Sequence, residues 1–324
     1  MDPAILFFVF GVFAGLIRSN LEIPAAISRF LSLYLLMALG LKGGFALAES
    51  GLNAQVLISL SAAVFMAALV PLLSYGLLSR MLGRFDAAAI AATYGSVSAV
   101  TFITAAQYLD HHGLAYGGHM AAAMALMESP AIILAVLFAN MARAKTHAVQ
   151  TGVPSAPSSM GHVWHEALTD GAQLLLLGAM LIGFFAGEQG QQVMKPFSVD
   201  LFKGMLSFFL LDMGLLAARN MGQLRGQPKI LFVYALLAPL VHASLAMLLG
   251  GFLKMSPGDL ALLMVLSASA SYIAVPAVLR HAIPEANPSL YFGMSLGLTF
   301  PFNILLGIPL YVQAAFAWSG WLAH

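Results

Sequence analysis

The chain has 324 residues, of which 60% are hydrophobic and 8% charged, with a formal net charge of +1. That excludes an ordinary soluble domain, where about 25% of residues are charged, and the scattered Lys and Arg exclude a basic track for nucleic acid. Cysteine is absent, which excludes disulfides, thiolate nucleophiles and Cys-based zinc sites.

Windows of roughly 20 apolar residues recur along the whole length, the pattern of helices crossing a hydrocarbon core of about 30 Å. Cuts at charges, prolines and glycines predict spans near 3–18, 24–47, 54–80, 86–109 and 117–142, then 166–187, 196–218, 228–253, 259–281 and 289–316. "MDPAILFFVF" lacks the basic region and cleavage site of a secretory leader, so its apolar run is expected to remain as the first span. The long polar stretch "RAKTHAVQTGVPSAPSSMGHVWH" predicts a linker over 144–165 between two five-span halves, 1–143 and 166–324. Loops after odd-numbered spans hold ten of the Lys and Arg; the opposite side holds four, Lys42, Lys195, Lys203 and Lys254. This asymmetry predicts a cytoplasmic linker and both termini outside the cytoplasm. Trp164, Trp318 and Trp321 fall near span ends, as interfacial anchors do.

The second span carries Lys42, which can pair with a carboxylate or snorkel. In the fourth span, "YGSVSAVTFITAAQYL" places Gly95, Ser96, Ser98, Thr101 and Thr104 inside an apolar tract. Gly and Ser are poor helix material, which predicts a break into two half-helices. Small residues also allow close helix packing, so this span alone leaves both readings open. The loop "DHHGLAYGGH" brings His111, His112 and His119 without metal-ligand spacing and reads as a solvated loop. Glu128, in the fifth span, costs about 2.5–3.5 kcal/mol to insert and needs a partner. Pro130 frees the carbonyl near Leu126, and hydroxyls at Ser129 and Thr101 can complete an oxygen cage for a hard cation. The competing reading is a protonated Glu128 hydrogen-bonded inside the bundle.

Asp212 and His242, in the seventh and eighth spans, either line a pathway or satisfy structural hydrogen bonds. In the ninth, a shift of 171 residues lays "SVSAVTFITAA" on "SASASYIAVPA", matching Ser96 to Ser267 and Ser98 to Ser269. The same shift brings Glu128-Ser129-Pro130 onto Thr299-Phe300-Pro301, so Thr299 and Asn303 offer neutral oxygens equivalent to the first cation set. Five spans per half put the halves in opposite orientation, an inverted repeat. The fold expected is therefore an all-α membrane protein of ten transmembrane helices in two inverted five-helix repeats, with helices 4 and 9 broken. Ser98 and either Ser269 or Ser271 would cap the second half-helices, whose free N–H groups suit a small oxyanion without Arg or Lys. The candidate anion site is Gly95, Ser96, Ser98 and Ala99 with Ser269, Ala270, Ser271 and Tyr272.

The stretches "YGSVSAVTF", "MALMESPAI", "LLAPLVHA", "SASASYIAVPAVLRHAIPEANPSLYFG" and "GIPLYV" resemble the sodium-dependent bicarbonate transporter family first described in cyanobacteria, over nearly the full chain. The resemblance implies crossing broken spans, core and gate domains, sodium-coupled bicarbonate uptake, a homotrimer, a bacterial inner-membrane location and no cofactor beyond Na+ as coupling ion. Its serine-rich breaks fall on Ser96, Ser98, Ser269 and Ser271, and its acidic residue before proline on Glu128. Cyanobacterial members have Asp at Glu128 and another at Tyr272, and a short linker here bears on whether a PII-like regulator binds. The expected function is a sodium-dependent bicarbonate symporter working by alternating access; the alternative is a sodium- or proton-coupled symporter of another small anion. An intramembrane hydrolase lacks a paired nucleophile and base, and a structural or receptor protein leaves paired breaks unexplained.

Overall fold

The computed structural model describes residues 3–51, 53–151, 171–221 and 227–322, which form helices and no strand. The first half comprises α1 (Pro3–Leu16), α2 (Ala25–Ser50), α3 (Ala54–Leu78), α4 (Arg84–Gly95), α5 (Ala99–His111) and α6 (Met120–Thr151). In the second half come α7 (Gly171–Lys195), α8 (Phe202–Met221), α9 (Lys229–Phe252), α10 (Pro257–Ala268) and α11 (Ala274–Ala282). A last helical run starts as α12 (Pro288–Met294), passes through π turns at Ser295–Thr299 and Asn303–Gly307, and ends as α13 (Ile308–Leu322).

Seven helical runs among the described residues are long and apolar enough to cross a membrane, against ten expected. The difference is in how the runs join. The described parts of predicted spans 166–187 and 196–218 are joined in one run, Leu174–Met221, while the first and ninth form shorter apolar helices, Pro3–Leu16 and Pro257–Ala268. Two polar stretches are helical rather than loops. α6 continues to Thr151, into the predicted linker, and α7 continues through "EQGQQVMK" to Lys195, bending at Gly187 (φ 56, ψ −149), a conformation only glycine adopts easily. The remaining linker, 152–165 with Trp164, lies outside the described residues. Outward-facing apolar side chains such as Phe185, 82% exposed, and Phe252, 84% exposed, suit a lipid surround.

Four helices pack in two pairs, α1 along α8 and α2 along α7. Glycine permits both contacts. Gly11 lies against the Leu211 carbonyl and Gly214, Gly15 against Ala218, Gly40 against Leu176 and Ala179, and Gly44 against Met180. Without a hydrophobic drive between helices in lipid, such close backbone packing supplies the cohesion. Six of the other helices form two trios, α3 with α4 and α6, and α9 with α10 and α13.

Two aspartates at half-helix starts pin distant loops. Asp86, in the first turn of α4, accepts the Asn287 N–H at 2.7 Å, and Asp259, in the first turn of α10, accepts the Gly117 N–H at 2.7 Å. Asp259 also lies 3.8 Å from His119 Nε2. Thus His111 and His112 are exposed as expected of a solvated loop, whereas His119 is buried, and desolvation lowers its pKa below the ordinary histidine value against the pull of Asp259.

Arg143, near the end of the membrane stretch of α6, forks onto Glu285 with bonds of 2.8 and 2.7 Å and donates to the Ala282 carbonyl at the end of α11 (2.9 Å). Its guanidinium holds the Glu285 carboxyl below the usual glutamate range. A depressed folded-state pKa gives stability present above the unfolded value and lost as pH falls through the folded one. Both side chains are about one-third exposed, so screening limits the pair to roughly 0.5–1 kcal/mol. Glu285→Gln should therefore lower the thermal midpoint by a few degrees or less at neutral pH and leave it unchanged in strong acid, as followed by melting in detergent.

Candidate functional site: two helix breaks that meet

Both serine-rich stretches interrupt their helices. α4 ends at Gly95, Ser96 turns extended, and α5 starts after Ser98, whose hydroxyl accepts the Thr101 N–H at 3.2 Å. Ser98 is thus the expected N-cap. The second break differs in detail: α10 ends at Ala268 and Ser269 is extended, but α11 starts after Ile273, which makes no side-chain cap. Ser271 instead reaches over the first turn and accepts the Val275 N–H at 3.3 Å. Ser271 stands two residues before the position that precedes the helix, so the capping serine sits earlier than in the first break.

The breaks touch. The Ser98 N–H donates to the Ser269 hydroxyl at 2.9 Å, and the Ser271 N–H to the Thr93 carbonyl at 2.8 Å. Ser269 passes its own proton to the Leu266 carbonyl at 2.8 Å. Beside these bonds, Ser96 and Ser267 are buried with hydroxyls that have no partner among the described residues. The N–H groups of Ala99 and Val100, at the start of α5, likewise have no acceptor among the described residues, nor do those of Ala270 and Tyr272. Buried polar groups are nearly always satisfied, so this concentration of spare donors marks a place for an acceptor. At a half-helix N-terminus, with the helix dipole adding roughly half a positive charge, that acceptor is favoured as an anion.

Gly95 allows the break to sit against α3: a Cβ there would lie 2.6–2.7 Å from three ring atoms of Pro71. Tyr272 is buried, its ring 5.1 Å from Phe300, and its hydroxyl donates to the Met213 sulfur at 3.6 Å.

The residues expected around a cation are spread over several contacts. Glu128 is half-buried in α6, two residues before Pro130, and the side chain of Ser129 lies outside the described residues. The Thr101 hydroxyl donates to Ser98 at 3.0 Å. Thr299 donates to the Ala235 carbonyl at 2.7 Å, an acceptor freed by Pro239, and bonds the Tyr94 hydroxyl at 2.6 Å. Asn303 donates to the carbonyl of Ala268, the last residue of α10, at 2.9 Å and accepts from Tyr311 at 3.0 Å. Thr299 and Asn303 therefore brace the helices around the breaks. Sequence reasoning did not identify Thr93, Asp86, Asp259 or Tyr94 as partners; only the Asp in each half-helix's first turn offered a signal.

Lys42 pairs with Asp110 at 2.8 Å. The pair lines a cavity of about 280 Å³ between α2 and the ends of α5 and α6, with Phe102 in its wall. Phe102 donates its N–H to the Ser98 carbonyl at 3.0 Å, so the cavity approaches the first turn of α5. His242 is buried in α9 beside the Ser267 backbone, its Nδ1 unpartnered among the described residues.

A family model for the Na+-dependent bicarbonate transporter superfamily matches residues 3–316. The chain belongs to that superfamily. Membership supports a multi-pass membrane transporter rather than an enzyme, and bicarbonate as substrate with Na+ as coupling ion fits the superfamily. No group of three or more His, Cys, Asp or Glu side chains able to hold a metal ion occurs among the described residues. No curated protein matches the chain.

Proposed function

We propose that the protein is a sodium-driven bicarbonate symporter that works by alternating access, binding its anion where the two breaks meet. One observation carries this reading: the unpartnered, buried hydroxyls of Ser96 and Ser267, at positions 171 apart, flank breaks that are themselves in hydrogen-bond contact. Bicarbonate has oxygens to accept from these hydroxyls and from the Ala99 and Val100 N–H groups, and the bond geometry demands no Arg or Lys.

An inverted repeat of five spans each is supported by three correspondences. The pairing of α1 with α8 answers that of α2 with α7 under exchange of halves; the trio α3, α4, α6 answers α9, α10, α13; and the Asp86–Asn287 bond answers Asp259–Gly117. On that plan α1, α2, α7 and α8 form the gate, and the two trios with α5 and α11 form a core that moves against it as an elevator. The linker faces the cytoplasm of a bacterial inner membrane, both termini lie outside, and the assembly is a homotrimer open to a PII-like regulator.

Glu128 supplies the sodium-side charge. Sodium neutralises it and steadies the adjoining half-helices, which raises anion affinity, and by linkage the anion raises sodium affinity equally. Reconstituted vesicles with an inward sodium gradient should accumulate labelled bicarbonate; uptake undiminished in choline would remove the coupling. Glu128→Gln is expected to abolish sodium stimulation, and full stimulation in that variant would overturn its role. Tyr272, in place of the family's second carboxylate, favours a second reading, a sodium- or proton-coupled carrier of another small anion, which competition by other carboxylates in the same assay would reveal.

A further inference from the structure

We propose that Asp212 is a proton-binding site coupled to the anion site, so that the transporter takes up a proton as bicarbonate binds. The coupling rests on the reading that the anion sits between the breaks; the proton site itself does not.

Asp212 lies in the middle of α8, 5% exposed, and its Oδ2 has no partner among the described residues. The groups that act on it are the Ser28 hydroxyl and Arg219 of its own helix, and Tyr272 of the second break feels its charge. The neighbouring residue, Met213, receives the Tyr272 hydroxyl at 3.6 Å, which fixes this stretch of α8 against the break. Other elements packed on α8 bring little charge. α1 and the Ser295–Thr299 turn carry no titratable side chain. On α2, Arg29 and Glu49 are exposed, Lys42 is paired with Asp110 and Tyr34 is bonded to the Phe197 carbonyl; Asp200 is exposed and Tyr291 of α12 is an uncharged phenol.

A hard cation would gather about six oxygens, whereas the described side chains that act here are one carboxylate, two hydroxyls, a thioether sulfur and the Arg219 cation, which repels a metal ion. A proton needs one carboxylate oxygen, and a neutral acid removes the cost of an unpaired buried charge. The proton comes from hydronium: one of its O–H bonds breaks, an O–H bond forms on the Asp212 carboxylate and water is released. An ionised Asp212, next in sequence to the Met213 that holds Tyr272, repels an anion held at Ser269–Ser271; a neutral Asp212 does not. Anion and proton therefore bind cooperatively, each raising the other's affinity by the same factor.

Infrared difference spectra of the purified full chain in sodium-containing lipid nanodiscs test this, with aspartate labelled by 13C so that aspartic acid bands are identified in the unmutated protein. At fixed pH, added bicarbonate should enlarge a neutral aspartic acid band that Asp212→Asn removes and that Asp212→Glu converts to an unlabelled one. In vesicles, with the bicarbonate concentration itself held constant, KM should weaken in the native chain as the pH rises through the value at which Asp212 gives up its proton, and stay flat in Asp212→Asn. An acid band that survives both substitutions, or one that bicarbonate leaves unchanged while sodium-driven uptake is intact, overturns the proposal. Absence of uptake by the native chain, with the Asp212 band still titrating, would instead count against the bicarbonate reading.

Discussion

Replacing Ser98 by alanine is expected to lower bicarbonate uptake between about tenfold and a hundredfold while leaving a folded protein. The Ser98 oxygen accepts both the Thr101 N–H, at 3.2 Å, and the Thr101 hydroxyl, at 3.0 Å. Losing an N-cap costs about 1 kcal/mol, and stranding the buried Thr101 hydroxyl adds roughly 1–3 kcal/mol. The first turn of α5 then frays where the Ala99 and Val100 N–H groups have to face an anion, and each 1.4 kcal/mol lost there is about tenfold in affinity. Ser98→Thr, which keeps the oxygen, should recover most of the uptake. Initial rates in vesicles and a melting midpoint in detergent check the pair, and native rates in Ser98→Ala would detach the break from transport.

Gly95→Ala should be at least as damaging through geometry alone. The new methyl carbon meets Cβ, Cγ and Cδ of Pro71 at 2.6–2.7 Å, and a proline ring inside a helix has no rotamer in which to retreat. Overpacking of this kind costs about 1–3 kcal/mol. Either α3 moves outward or the break shifts, and a shift misaligns the 2.9 Å bond from the Ser98 N–H to Ser269. Uptake is expected to fall by at least about tenfold. Pro71→Ala combined with Gly95→Ala should restore part of it, since the pair in contact must show a non-additive energy. Purely additive losses in that double-mutant cycle would mean that the contact does not set the geometry of the break.

How far each feature could be read beforehand follows from the range of the interaction that creates it. The breaks were legible because Gly95, Ser96 and Ser98 act on their own backbone, and the cap at Ser98 is a bond of three residues' reach. The shift of 171 also brought out Ser96 with Ser267, the pair whose hydroxyls have no partner among the described residues. Polarity was a weaker guide to loops. "EQGQQVMK" is polar, yet Glu, Gln, Met and Lys are good helix formers and the segment is helical. The start of the linker, which carries Ala144, Lys145, Ala148 and Gln150, continues α6 for the same reason.

Hydrogen-bond partners across the fold had no such local cause. Thr299 and Asn303 were equally compatible with a cation cage in sequence; their neighbours in space direct Thr299 to Ala235 and Asn303 to Ala268. By itself, then, the sequence determined a membrane-embedded helical chain, two weak points in its helices and the small polar residues that stand there, all through composition and backbone preference. The tertiary structure decided that those weak points face each other, that Pro71 meets Gly95 and that the Tyr272 hydroxyl reaches the Met213 sulfur, because contacts between residues far apart in the chain depend on how the helices pack, and packing is a property of their combined surfaces.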